Sequence, residues 1–136
     1  MSKASAEGVI DTNVISYLMS GGPLAQAYEP YILGHTMVIA FQTVAELRFG
    51  AYRARWGERR IGALEEYLKS FAVVFPDDAT CERWGRLRTE AERKGRHIDA
   101  SDAWIAATAL ELNIPLITHN RKDFEMLEGL TLLSRG

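Results

Sequence analysis

The chain has 136 residues, 47% hydrophobic and 25% charged, with a formal net charge of −2. That fits one globular domain with a real core, and it excludes a disordered, fibrous or globally basic chain. One cysteine, Cys81, excludes an internal disulfide and a cysteine-based zinc site and points to a reducing, cytoplasmic setting.

GVI (8–10) reads as a short strand, and NVISYLMS (13–20) as a helix with Val14, Tyr17 and Leu18 on one face. GGP (21–23) breaks it, and a helical stretch over 24–33 follows, interrupted by Pro30. MVIAF (37–41) is a β-branched, apolar strand, followed by helices over about 42–55 and 58–70. AVVF (72–75) is the next strand. The segment 77–95 is an amphipathic helix, acidic at its start and basic at its end, closed by Gly95.

SDAWIAATALELN (101–113) is apolar on nearly every side and is predicted to be deeply buried. PLITH (115–119) is a strand, 121–127 a short helix and LTLL (130–133) a last strand. Strands and helices alternate with few hairpin signals, which predicts an α/β fold with a mostly parallel sheet covered on both sides. Ligands of such sheets gather beyond the carboxyl ends of the strands. No apolar run approaches the roughly eighteen residues of a membrane span, and no hydrophobic signal segment follows MSKASAEG.

Four acids stand at matching junctions. Asp11 follows the first strand, Glu46 lies five residues past MVIAF, Asp102 opens the most apolar helix, and Asp123 lies four residues past PLITH. A purely structural account is available for each. Thr43-x-x-Glu46 fits a capping box, Asp99-x-x-Asp102 and Asn120-x-x-Asp123 share its spacing, and Asp11 can cap the first helix. Capping gives no reason for carboxylates to cluster, however. A carboxylate on so apolar a helix as that of Asp102 needs a partner, and no fixed cation stands beside it in sequence. A divalent metal would supply one, and all-oxygen ligands suit Mg²⁺ or Mn²⁺. His35, His97 and His119 lack metal-site spacing and read as surface or turn residues.

VIDTNVISYL, TVAELRFGA, IDASDAWIAATALELNIPLITHN and NRKDFEML resemble the PIN-domain nucleases, and most closely the VapC-type toxins of bacterial toxin–antitoxin pairs. The resemblance spans roughly residues 8 to 133. It implies a single PIN-like domain over 1–136, from which residues 1–7 depart as either an extension or a weakly ordered start. It also implies a three-layer α/β/α sandwich with a mostly parallel sheet of about five strands. The implied activity is a Mg²⁺- or Mn²⁺-dependent endoribonuclease leaving 5′-phosphate and 3′-hydroxyl ends. Asp11, Glu46, Asp102 and Asp123 match the family's catalytic and metal-binding acids. Asn13, Thr118 and Asn120 match its supporting polar positions. Asp99 is an added acid where the family often has a small residue, open between a cap and a water-mediated metal contact. The implied partners are RNA, a cognate antitoxin and a second copy of the chain.

RNA held against an acidic pocket needs surrounding cations. The segment 47–60 carries Arg48, Arg53, Arg55, Arg59 and Arg60, of which Arg48, Arg53 and Arg55 are the leading RNA contacts, against the alternative of a solvated face. The segment 83–97 reads rather as a solvated face laced with Glu, such as Arg86 with Glu90. Trp56, Trp84 and Trp104 are expected in packing. Leu24, Tyr28, Tyr31, Ile32 and Leu33 are candidates for a groove or dimer face. Three competing readings stand beside the toxin: a housekeeping RNA-processing nuclease, a phosphohydrolase with an Asp nucleophile, and a silent protein-binding module. DTN lacks the second Asp of the phosphohydrolases, and four retained acids argue against a silent module.

Overall fold

A computed structural model describes residues 5–136; Met1–Ala4 of the expected weakly ordered start lie outside the described residues. From residue 5 on, the chain makes contacts with the rest of the fold. Ala6 packs against the core, the Glu7 N–H donates to the Thr36 carbonyl at 2.7 Å, and the Glu7 side chain accepts from the Thr36 N–H.

The elements run β1 (Gly8–Ile10), α1 (Thr12–Ser20), α2 (Pro23–Ile32), β2 (Met37–Ala40), α3 (Phe41–Arg53), α4 (Glu58–Leu68), β3 (Ala72–Val74), α5 (Asp78–Arg93), α6 (Ala100–Leu112), β4 (Leu116–Ile117) and β5 (Leu132–Leu133). The strands form one all-parallel sheet in the order β3-β2-β1-β4-β5. The side-chain alternation of a strand divides its residues between two cores. Val9, Val38, Ala40 and Leu116 join Ala103, Ala106 and Leu87 under α5 and α6. Ile10, Met37, Ile39 and Ile117 join Val14, Tyr28 and Leu64 under α1, α2 and α4. The result is the expected three-layer α/β/α sandwich.

Helix α6 is as buried as its sequence requires: Ala103, Ile105, Ala106, Ala107 and Ala109 are fully covered. Its four buried alanines let it lie close to neighbouring elements. Asn113 ends it in the left-handed region at φ 56, a conformation asparagine tolerates. Helix α5 starts on Asp77, whose Oδ1 accepts from the Thr80 N–H at 2.9 Å. Gly8 on the central strand leaves no space for a side chain. An added Cβ would stand 2.6 Å from Met37 Cε and 2.7 Å from Ile117 Cδ1.

Several expectations are corrected. Pro30 does not interrupt α2 but sits exposed in its last turns, where little helix remains to be broken, while Tyr28 anchors the helix in the core. The short helix predicted over 121–127 is only a 3-10 turn, Arg121–Asp123. Of the candidate groove, Tyr28 is wholly buried, Tyr31 and Ile32 pack against the core, and only Leu24 and Leu33 are exposed.

Candidate active site

In a parallel sheet every strand points the same way, so the residues that follow the strands share one edge. The order of this sheet reverses beside β1: the chain moves outward through β2 to β3, then returns to place β4 on the other side. Asp11 follows β1 and Thr118 follows β4, so both stand at this switch point. The Thr118 hydroxyl donates to Asp11 Oδ2 at 2.7 Å, across 107 residues of sequence. The other oxygen, Oδ1, accepts from the Thr12 N–H at 2.8 Å, which makes Asp11 the N-cap of α1 as expected.

Glu46 enters from α3. The expected capping box is not formed, because α3 begins at Phe41 and Thr43 lies inside it, fully buried. The Thr43 hydroxyl faces that of Thr12 at 3.0 Å, and Thr12 Oγ1 lies 3.0 Å from Glu46 Oε1. Thr12 has one hydroxyl proton and an ionised carboxylate only accepts, so Thr12 donates to Glu46 and Thr43 donates to Thr12. The sequence gives little sign of this relay: Thr12 follows Asp11 directly, and Thr43 stands at capping-box spacing from Glu46.

Asp102 stands in the first turn of α6, and Asp123 ends the 3-10 turn after β4. Among the described residues neither side chain accepts a hydrogen bond or an ion pair from the protein. Asp99 occupies the N-cap position of α6 but makes no side-chain cap bond; it pairs with His97 Nε2 at 2.9 Å. Asn120 is likewise no cap by side chain; its N–H donates to Thr118 Oγ1 at 3.0 Å.

The charges of the four acids act on one another. Burial pushes the Asp11 carboxyl up to about 6, against the opposing bonds from Thr118 and Thr12, and the charges of Glu46 and Asp123 add to the rise. Asp102 is pushed up to about 7, first by burial and then by the charges of Asp11, Asp123, Asp99 and Glu46. Burial raises Glu46, opposed by the bond from Thr12. The cup therefore holds more negative charge than the protein neutralises.

A divalent cation fits this donor set. Every candidate ligand is an oxygen, and Asn13 adds a buried Oδ1 with no hydrogen-bond partner. No three Asp, Glu, His or Cys side chains among the described residues are already gathered closely enough to hold an ion. An open cup suits a hard cation that retains several waters and takes only one or two carboxylates. The histidines are engaged elsewhere. His35 meets Glu7, and His97 meets Asp99. His119 is no simple surface residue, being half-buried between the rings of Tyr17 and Tyr28 with Nδ1 2.6 Å from the Tyr28 hydroxyl.

The cations surrounding the cup differ from expectation. Arg48 is held in a two-pronged ion pair by Glu65, at 2.7 and 3.1 Å. Arg53 and Arg55 are exposed. The reading of 83–97 as a salt-laced face agrees with the ion pairs Arg83–Glu111 and Lys94–Glu90, but Arg86 pairs with Glu82 rather than Glu90. The tryptophans serve packing: Trp84 stacks on Trp104 with centroids 5.1 Å apart, and Trp56 joins the edge of the second core.

Residues 8–130 match the PIN domain family. The chain is 36% identical over 124 residues to Ribonuclease VapC1 of Haemophilus influenzae, covering 90% of this chain and 92% of that one. It is 36% identical over 132 residues to Ribonuclease VapC5 of Mycobacterium tuberculosis, covering 95% and 93%. Among solved structures, VapBC-1 from nontypeable Haemophilus influenzae superposes with a TM-score of 0.81 at 35% identity, over 93% of this chain and 96% of that one. VapBC2 from Rickettsia felis, solved bound to a promoter DNA fragment, gives a TM-score of 0.83 at 26% identity, over 95% and 98%. Fold, acidic cup and sequence agree, and the chain belongs to the PIN-domain family, within its VapC branch.

Proposed function

We propose that the protein is a Mg²⁺- or Mn²⁺-dependent endoribonuclease and the toxin of a toxin–antitoxin pair. One observation carries the reading: at the switch point of the sheet, Asp11 is buried within Coulombic reach of Glu46, Asp102 and Asp123, and both it and Asp102 are pushed up towards neutral pH. Relatives named as VapC ribonucleases and VapBC complexes support it.

Asp11, Glu46, Asp102 and Asp123 would hold the ion, directly or through water, with Asn13 Oδ1 a further acceptor. When bound, a divalent cation supplies a water of lowered pKa and offsets charge that develops on the phosphate and the leaving oxygen. The protein's own part is orientation. Thr118 and the Thr12 N–H fix both oxygens of Asp11, and the Thr43–Thr12 relay fixes one oxygen of Glu46. Hydrolysis places no demand on a covalent nucleophile.

Arg53 follows Glu46 on the same stripe of α3 by seven residues, about 10 Å along the axis, where it serves as an outer phosphate contact. Arg55 extends that reach, whereas Arg48 is committed to Glu65. An antitoxin and a second copy of the chain are the protein partners of this reading. Among the described residues no helix is long and apolar enough to cross a membrane, and the exposed, unpaired Cys81 suits a reducing cytoplasm.

The test is cleavage of RNA by the purified chain in Mg²⁺, Mn²⁺ and EDTA, with thermal melts alongside. Cleavage is expected with either ion and absent in EDTA. Asp11→Asn, Glu46→Gln and Asp102→Asn should each remove it while remaining folded. Full activity in EDTA would reject the metal reading. Growth arrest on expression of the chain alone, relieved by a short DNA-binding partner encoded beside it, separates a toxin from a housekeeping nuclease.

A further inference from the structure

A cup of four carboxylates repels the phosphodiester it is proposed to cut, and a net charge of −2 gives no global attraction. Substrate must therefore be captured by cations near the cup that no carboxylate has already neutralised. Five basic side chains fail that requirement. Arg48, Lys69, Arg83, Arg86 and Lys94 each lie within ion-pair distance of a glutamate. Arg60, Arg88 and Arg135 lie over aromatic rings.

Of the cations that remain, two lie on the very turn that carries Asp123. Arg121 and Lys122 immediately precede that acid, both exposed, and neither has a carboxylate partner among the described residues. The Arg96 guanidinium reaches the same turn from the loop before α6, donating Nη2–H to the Lys122 carbonyl at 3.5 Å. Arg96 makes no carboxylate pair either. A cleft of about 530 Å³ opens here, lined by Asn120, Arg121, Lys122 and Asp123, with His119, Gly136 and one further acid, Glu125, completing it. One wall of the cleft is thus an acid of the cup, and the adjoining wall is basic.

We infer that Arg121, Lys122 and Arg96 form a phosphate-binding rim that holds the RNA backbone on the β4 side of the cup and delivers one phosphodiester to the acids. This deepens the ribonuclease reading and rests on it. RNA fits the rim better than an acidic peptide does. The cations lie along a turn and a neighbouring loop beside an open cleft, a layout that follows a flexible backbone of evenly spaced charges.

The test is fluorescence anisotropy of a labelled single-stranded oligouridylate against the full chain, in EDTA, from 50 to 400 mM KCl. Each phosphate contact on a single strand contributes a slope of roughly 0.7 in log K against log salt. The double variant Arg121→Gln/Lys122→Gln should lower the slope by roughly 1.4 and weaken binding roughly 10- to 30-fold at 0.1 M salt. The double variant Arg86→Gln/Arg93→Gln removes the same charge from the salt-laced face of α5 and should leave the slope unchanged. Equal slopes for wild type and rim variant, or no RNA binding by the wild type, would overturn the proposal. So would a rim variant that loses polyglutamate binding while keeping its RNA slope, which would assign the rim to an acidic peptide. Cleavage in Mg²⁺ or Mn²⁺ is read in parallel. Its absence in the wild type would sink the ribonuclease reading, whereas cleavage with an unaltered slope would sink only the rim.

Discussion

The two halves of the cup are built differently. On one side, Asp11 and Glu46 receive hydrogen bonds from Thr118, Thr12 and, through Thr12, the buried Thr43. On the other, Asp102 and Asp123 receive none from the described residues, and Asp102 is pushed up to about 7 by burial and by four neighbouring acids. The first half is oriented by protein donors and is ready before anything binds. The second is left in deficit, and a cation is the natural way to close it. Ionising Asp102 costs folded stability, a cost of the kind functional positions commonly carry.

The largest expected effect tests the deficit. Asp102→Asn removes the charge but keeps the shape, so cleavage in Mg²⁺ should fall about a thousandfold. The same variant should melt higher than wild type at pH 8 without metal, by about 3–6 °C for a gain on the order of 1–2 kcal/mol, reduced for the partial exposure of the group. A cap at the start of α6 would behave in the opposite way, losing stability.

The pH dependence has the same origin. Asp11 and Asp102 bind protons more tightly folded than unfolded, so ionising them costs folded stability. That cost is absent below about pH 4, grows through pH 6–7 and is complete above. Metal-free wild type should therefore melt higher at pH 5.5 than at pH 8 in a calorimetric series. Mg²⁺ should erase much of the difference, and Asp102→Asn should show less of it.

The hydrogen-bonded half predicts smaller losses. Thr43→Val keeps the buried shape but removes the donor that orients Thr12. Loss of about 1 kcal/mol of orientation corresponds to a roughly fivefold lower kcat with KM little changed. Thr43→Ser should restore kcat. An unaltered kcat in the valine variant would mean that the relay does not orient Glu46.

Much of this molecule is legible in the sequence because the relevant signals are local. Strand positions such as Val9 and Ile10 alternate, α6 is apolar throughout, and the four acids sit beside strand ends that a parallel sheet must gather. What is not legible depends on pairs distant in the chain. Thr43 looks like a cap until α1 is placed against α3, and Arg48 looks free until Glu65, on α4, is placed beside it. Arg121 and Lys122 belong to no basic run, so only the position of their turn against the cup gives them significance. Pro30 looks like a breaker because sequence does not show that Tyr28 already anchors the helix around it.

The most direct test is a Mn²⁺ titration followed by isothermal calorimetry at pH 7.5, with wild type and Asp102→Asn compared. The account predicts saturable binding to wild type that weakens at least about tenfold in the variant, the loss of a charged oxygen ligand costing 1.4 kcal/mol or more. Equal Mn²⁺ affinity in the two proteins, or none in the wild type, would contradict it.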